Sequence, residues 1–225
     1  MKKLILAIIC LLCFTSCHFY TVLIGGKQRY VKNFLSIRYD TVPINISKVI
    51  RTDGFFTNRD INKLAIKSDS DEIVIFYDDG TYLLSSSFQR MRDEIRIAKN
   101  VEKKVSKVCK YGLYEVKNDT IIVEEYSIWP LLYGWDMTRW FFKVDDMEHI
   151  RLVKIWAWYD ANEITEYKHN DVFNFIPAKN LPSTYYSYCK RQKWLWKDKE
   201  AWKKWKKEYK VWKKWNKEKH KLKSN

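Results

Sequence analysis

Short strand-like runs separated by tight-turn residues are the feature that most restricts the fold of this chain. In the first pair, runs rich in β-branched and aromatic residues flank Asp79-Gly80, a dipeptide typical of two-residue hairpin turns. Three such hairpins are predicted, at residues 72–85, 111–126 and 140–156, and an earlier strand is predicted at 49–56. Consecutive hairpins favour an antiparallel meander that curls into a barrel or half-barrel, because closure removes exposed strand edges.

The predicted fold class is therefore mainly β with added helices. Aromatic residues make up 16% of the chain while glycine and proline are few, which is typical of a domain with a packed core. The predicted division of the chain is a leader at 1–17, a linker with the first elements at 18–48, the β domain at 49–189 and a basic amphipathic helix at 190–225.

One segment inside the β domain has helical rather than strand periodicity. Between residues 88 and 108, apolar residues recur at steps of three and four among arginines and lysines. This spacing predicts an amphipathic helix, and packing over one mouth or face of the barrel is its expected role.

The N-terminal residues have the order of an export signal. Two lysines are followed by an apolar run from Leu4 to Phe14 and by small polar residues before Cys17. A signal that ends in cysteine resembles the lipobox of bacterial lipoproteins, and this resemblance implies cleavage before Cys17 and acylation of its sulfur. The alternative is that residues 4–24 stay uncleaved as a membrane anchor, since the run is about long enough to span.

Strand and turn motifs lie at residues 53–56, 75–81, 111–121 and 173–177, together with Pro182. They resemble motifs of small uncharacterised lipoproteins of Bacteroides-type bacteria, several of which look like lipocalin-type or calycin-like barrels. The resemblance implies the same antiparallel barrel and no catalytic residues. Residues 18–24 contain no acid. By the same resemblance, this favours a cell-envelope location on the periplasmic face of the outer membrane over surface display.

The net charge of +15 is concentrated at the C-terminus. Residues 190–225 hold fifteen lysines and one arginine against four acids, a net charge of +12, whereas residues 18–189 carry +1. An exported protein with a nearly neutral body is not expected to bind nucleic acid.

Aromatic residues follow a three- and four-residue stripe through this basic tail. The predicted membrane- or partner-contacting residues are Trp194, Trp202, Trp205, Tyr209, Trp212 and Trp215. An indole stripe backed by lysines suits an interfacial helix on anionic lipid, lipopolysaccharide phosphate or an acidic envelope protein. In the alternative interpretation the stripe docks on the protein's own barrel or on a second copy, and the lysines form a solvated face.

Two cysteines remain in the body once Cys17 and the leader are set aside. Cys109 and Cys189 can form a disulfide in an oxidising envelope, which would fasten the base of the tail to the barrel. Two separate buried thiols are the alternative, because sequence does not report the distance between the two residues.

No motif for catalysis, cofactor binding or metal binding is present in the sequence. Adjacent acids such as Glu124-Glu125 point to opposite faces of a strand, although non-adjacent acids can still converge across a barrel mouth. We therefore expect a binding or scaffolding lipoprotein rather than an enzyme. A carrier of a small apolar ligand and a hydrolase of envelope polymers are the alternatives.

Overall fold

The computed structural model of the protein describes residues 36–39, 45–58, 72–85, 109–128, 135–160 and 163–222. Cys17 and the helix predicted at 88–108 lie outside these residues. Most of the predicted β domain and the basic tail lie within them.

Eight antiparallel strands form a closed barrel in which each strand pairs with its neighbours in sequence. They are β1 (Gly54–Thr57), β2 (Ile73–Phe76), β3 (Thr81–Ser85), β4 (Cys109–Lys117), β5 (Thr120–Ile128), β6 (Trp135–Val144), β7 (His149–Asp160) and β8 (Glu163–Pro177). Antiparallel pairing of β1 with β8 closes the barrel. The predicted antiparallel meander is confirmed, and it is a full barrel rather than a half-barrel.

All three predicted hairpins form, as β2–β3, β4–β5 and β6–β7. The Asp79-Gly80 turn has Gly80 at φ 80°, in the left-handed region that glycine enters without strain. The strand predicted at 49–56 is wrong in its first half. Residues Ile46–Lys48 form a 3-10 turn, in which the amide groups of Val49 and Ile50 donate to the carbonyl of Ile46, so β1 begins at Gly54.

The barrel interior is filled with large apolar side chains toward one end. Every strand contributes at least one residue to this buried cluster, and Phe76 makes edge-to-face contacts with Tyr114 and Phe142 at ring distances of 5.3 and 6.0 Å. Ile46 and Ile50 join the cluster at the end with the three tight turns, which we call the turn end. The opposite end, where the other strand connections lie, is called the loop end.

A second apolar cluster lies on the outer face of the barrel, mainly over strands β1 to β4 and with Met137 of β6. It is covered by residues 36–39 and by the segment 178–196, so β1, β2 and β3 are buried on both faces. This explains why β2 has the continuously apolar sequence Ile-Val-Ile-Phe rather than an alternating pattern. Two layers of apolar packing therefore enclose this side of the barrel.

The C-terminal region contains two helices, α1 (Tyr188–Arg191) and α2 (Lys199–Leu222), separated by a 3-10 turn at Lys193–Leu195. The long helix was expected from residue 190, but it begins nine residues later. Asp198 sets this start, because its Oδ1 accepts a hydrogen bond of 2.7 Å from the amide of Glu200. Within the described part of the chain, neither helix has the length and apolar character needed to cross a membrane.

Candidate binding surface on the C-terminal helix

Helix α2 carries most of the excess positive charge of the protein. Its 24 residues include eleven lysines and three glutamates, a net charge of +8. At 1.5 Å per residue it extends about 36 Å. Lysines at i and i+4 repel one another, so an isolated helix of this composition is destabilised and needs support from packing.

That support comes from an aromatic stack on the side of α2 that faces the protein. Trp205 and Tyr209 stack at a ring distance of 5.1 Å, and Tyr185 stacks on Trp212 at 5.1 Å. Trp196 contacts Trp205 at 5.9 Å. Trp205 is 8% exposed, so most of its ring is removed from water. The stripe is thus docked on the protein itself.

The segment that receives α2 is tied in turn to the barrel. Trp196 packs on Tyr39 at a ring distance of 5.0 Å, and the Tyr39 hydroxyl shares a hydrogen bond of 2.9 Å with Thr81 of β3. The buried Lys190 ammonium pairs with Asp79 in the β2–β3 turn. Burial alone would raise the pKa of the Asp79 carboxyl, but the charge and hydrogen bond of Lys190 outweigh it and lower that pKa.

The other predicted contact residues occupy three different environments. Trp194 precedes α2 and packs against the outer cluster of the barrel. Trp202 is half-buried with the Lys206 ammonium 4.7 Å from its ring. Trp215 is 52% exposed. The structure therefore brings Trp205, Tyr209 and Trp212 together in the stack and leaves Trp215 facing solvent.

Lysines occupy the side of α2 opposite the stack. At 100° per residue, the seven residues of this surface, named here the lysine face, fall within an arc of roughly 120°. They are the exposed Lys203, Lys206, Lys207, Lys210, Lys213, Lys214 and Lys217. A cleft of about 500 Å³ runs along the first turns of this face, lined by four of these lysines together with Lys204, Glu200 and Trp202. Docking thus holds the positive charges on one outward side.

The two body cysteines belong to different elements: Cys109 is the first residue of β4, and Cys189 lies in α1. Cys189 is buried, and its Sγ donates to the carbonyl of Tyr111 at 3.2 Å. The side chain of Cys109 is not among those that the structure describes. The disulfide between them stays a prediction.

The strand order of the barrel allows a comparison with known folds. A closed eight-stranded antiparallel barrel in meander order is consistent with a lipocalin-like fold. In the described ranges, no group of three or more histidine, cysteine, aspartate and glutamate side chains is placed to hold a metal ion. No protein-family model, no curated protein and no solved structure matches this chain.

Proposed function

We propose that this protein is a cell-envelope lipoprotein, anchored through Cys17, whose lysine face binds the anionic headgroups of the membrane that holds it. Lipid at the N-terminus and a basic face at the C-terminus would hold the barrel against the bilayer at two points. The periplasmic face of the outer membrane is the proposed location. The barrel is then a scaffold or binding module presented at a fixed orientation.

The observation that carries this proposal is the opposed arrangement of rings and lysines on α2. The aromatic stack uses Trp205, Tyr209 and Trp212 to fix the helix to the protein. Contact with a membrane is therefore proposed through the lysines, without insertion of the stripe.

The energetics favour such a two-part attachment. A basic residue near an anionic membrane surface contributes about 1 kcal/mol, so seven lysines supply a substantial attraction even when ions screen part of it. Stable anchoring generally requires two signals, such as an acyl chain with a polybasic patch. The rigid lysine face also avoids the entropy cost of ordering a flexible basic tail on the membrane.

Vesicle co-sedimentation of the unacylated protein tests the lysine face by itself. The test variant carries Lys207→Gln, Lys210→Gln and Lys214→Gln. Its matched control carries Lys143→Gln, Lys168→Gln and Lys179→Gln, three exposed lysines away from α2. At about 1 kcal/mol each, the test variant should bind vesicles with 30% phosphatidylglycerol about 100-fold more weakly than the wild type, whereas the control stays within a few-fold.

The same experiment separates the alternatives. Loss of binding at high salt and on pure phosphatidylcholine is expected, because the attraction is electrostatic. Equal binding by the test variant and the wild type would overturn the proposal. Retention of the wild type by a polyglutamate resin but not by the anionic vesicles would instead favour an acidic protein partner.

The anchor requires its own test. Labelled fatty acid supplied to growing cells should appear on the wild-type protein and not on a Cys17→Ser variant. Absence of label on the wild type, with the leader still attached, would contradict the lipoprotein part of the proposal and favour an uncleaved anchor.

A further inference from the structure

The interior of the barrel changes from apolar to polar toward the loop end. Glu72 lies just before β2, Lys110 lies near the start of β4, and Glu125 lies late in β5, so all three are placed toward that end. The residues two positions away from them are Val74, Gly112 and Val123, which lie on the interior face of the barrel. Because side chains alternate across a strand, the three side chains share the interior face.

Glu125 differs sharply from its neighbour Glu124, although both are 2% exposed. Glu124 faces outward, and both of its carboxylate oxygens accept hydrogen bonds. It accepts hydrogen bonds from the amides of Ser36 and Ile37 at 2.9 and 2.8 Å, and it pairs with Arg139. Glu125 faces inward, with one oxygen 3.0 Å from the ammonium of Lys110. Its Oε2 is buried without a hydrogen-bond partner among the described residues.

A second buried polar group points to the same place. Tyr82, Gly112 and Glu125 are opposite one another on the three adjacent strands β3, β4 and β5. A Cβ on Gly112 would lie 3.2 Å from Cδ1 of Tyr82, so the tyrosine ring lies over the glycine in the direction of Glu125. The Tyr82 side chain is 0% exposed, and its hydroxyl has no partner among the described residues.

Charge at this place is predominantly negative. Glu72 and Glu125 lie near one cation, Lys110, whose ammonium contacts Glu125. Asp171 lies close enough to act on Glu72, but its side chain is 52% exposed and its Oδ2 is 3.1 Å from Nδ1 of His169. Burial, followed by the charges of Glu125 and Asp171, raises the pKa of Glu72 to about 7. Ionisation of Glu72 is therefore unfavourable in the free protein, and an added cation would stabilise the ionised form.

We propose that the loop end of the barrel binds the ammonium group of a small primary amine. The ammonium donates to Oε2 of Glu125 and to the hydroxyl oxygen of Tyr82, and the surplus carboxylate charge is neutralised. An anionic ligand would add to that surplus. A divalent metal is disfavoured because such ions need several converging oxygen or nitrogen ligands, and no three acids, histidines or cysteines of the described residues are placed to hold one together. This inference is independent of the lysine face.

Three six-carbon probes test the headgroup preference by calorimetric titration of the full chain at pH 7.5. Hexylamine, hexanol and hexanoate have the same chain and differ in charge. Hexylamine should bind at one site at least tenfold more tightly than hexanol, with hexanoate weakest, since a hydrogen bond to a charged group adds about that factor. Equal affinities for the amine and the alcohol would overturn the proposal.

Variants locate the site. Glu125→Gln should weaken hexylamine binding at least about tenfold, because it removes the buried charge at constant shape. The matched control is Glu124→Gln, the adjacent carboxylate on the outer face, which should leave the affinity within about twofold. Tyr82→Phe keeps the ring over Gly112 and should weaken binding several-fold. Equal effects of the two glutamine variants, or no effect of Glu125→Gln and Tyr82→Phe, would refute the site.

Discussion

Replacement of Trp205 by alanine tests directly whether the aromatic stack holds α2 on the rest of the protein. Trp205 is 8% exposed and touches Trp196, Tyr185 and Tyr209, with ring distances between 5.1 and 6.3 Å. Removing a buried tryptophan side chain costs about 3–5 kcal/mol in protein cores. Because Trp212 still stacks on Tyr185, we take about 3 kcal/mol as the loss in docking free energy.

A loss of that size raises the undocked population of α2 about 100-fold. Limited digestion with trypsin reports this population, because α2 contains eleven lysines and a docked helix resists the protease. When the helix docks again faster than it is cut, the cleavage rate follows the open fraction. We therefore expect the tail of Trp205→Ala to be cut about 100-fold faster, while thermal melting of the barrel changes little.

Trp215→Ala is the matched control, the same substitution on the same helix at a position that is 52% exposed. A surface substitution of this kind is expected to change stability by less than about 0.5 kcal/mol, or about twofold in cleavage rate. If both variants are cut at the wild-type rate, or both equally faster, the aromatic stack does not hold the helix and the reasoning fails.

Three further predictions follow from buried groups in the barrel. Glu72 has its pKa raised to about 7 in the folded state, so the folded protein binds the extra proton and its stability should fall as pH rises from about 5 to 7.5. Denaturant titration at the two pH values measures this fall in the free energy of unfolding. After allowance for partial exposure, the fall should be about 2 kcal/mol larger in the wild type than in Glu72→Gln, in which Lys110 and the neighbouring acids are retained. Equal falls in the two proteins would contradict this. Gly112→Ala places a methyl group 2.5 Å from the carbonyl oxygen of Glu124, and should lower the melting temperature by several degrees or more. Glu124→Gln removes the charge that Arg139 and the Ser36 and Ile37 amides share, and should cost about 2–3 kcal/mol by the same titration; an unchanged midpoint would refute the assigned role.

The hairpins were predictable because their turns are encoded locally. Gly80 and Asn118 have positive φ, at 80° and 55°, and both belong to residue types that accept this conformation. Each turn is flanked by residues of high strand propensity, so register and pairing follow from the neighbouring sequence. The order of strands then required little more than adjacency in the chain.

Other parts of the fold depend on partners that are distant in sequence. β8 was not predicted as a strand, because many of its fifteen residues are polar. Its conformation is fixed by pairing with β7 and β1. Residues Val49 and Ile50 have high strand propensity, yet they end a 3-10 turn that closes the barrel interior. In both cases tertiary packing overrides local preference.

The candidate sites were predictable to different degrees. The spacing of Trp205, Tyr209 and Trp212 predicts an amphipathic helix, but it does not say what covers the stripe. The cover depends on Tyr185, which lies twenty or more residues earlier in the sequence. The polar loop end depends on strand register, which brings Tyr82 and Glu125 to either side of Gly112. A search of the sequence for adjacent acids does not find a site whose residues lie on different strands.

Hydrogen–deuterium exchange of α2, measured in free protein and on phosphatidylglycerol vesicles, tests directly whether the helix is held by its aromatic side and binds through its lysine side. Amides of α2 should exchange slowly in the free protein and remain at least as protected on the vesicles. Fast exchange of α2 in the free protein, or a loss of protection on binding, would contradict the docked lysine face.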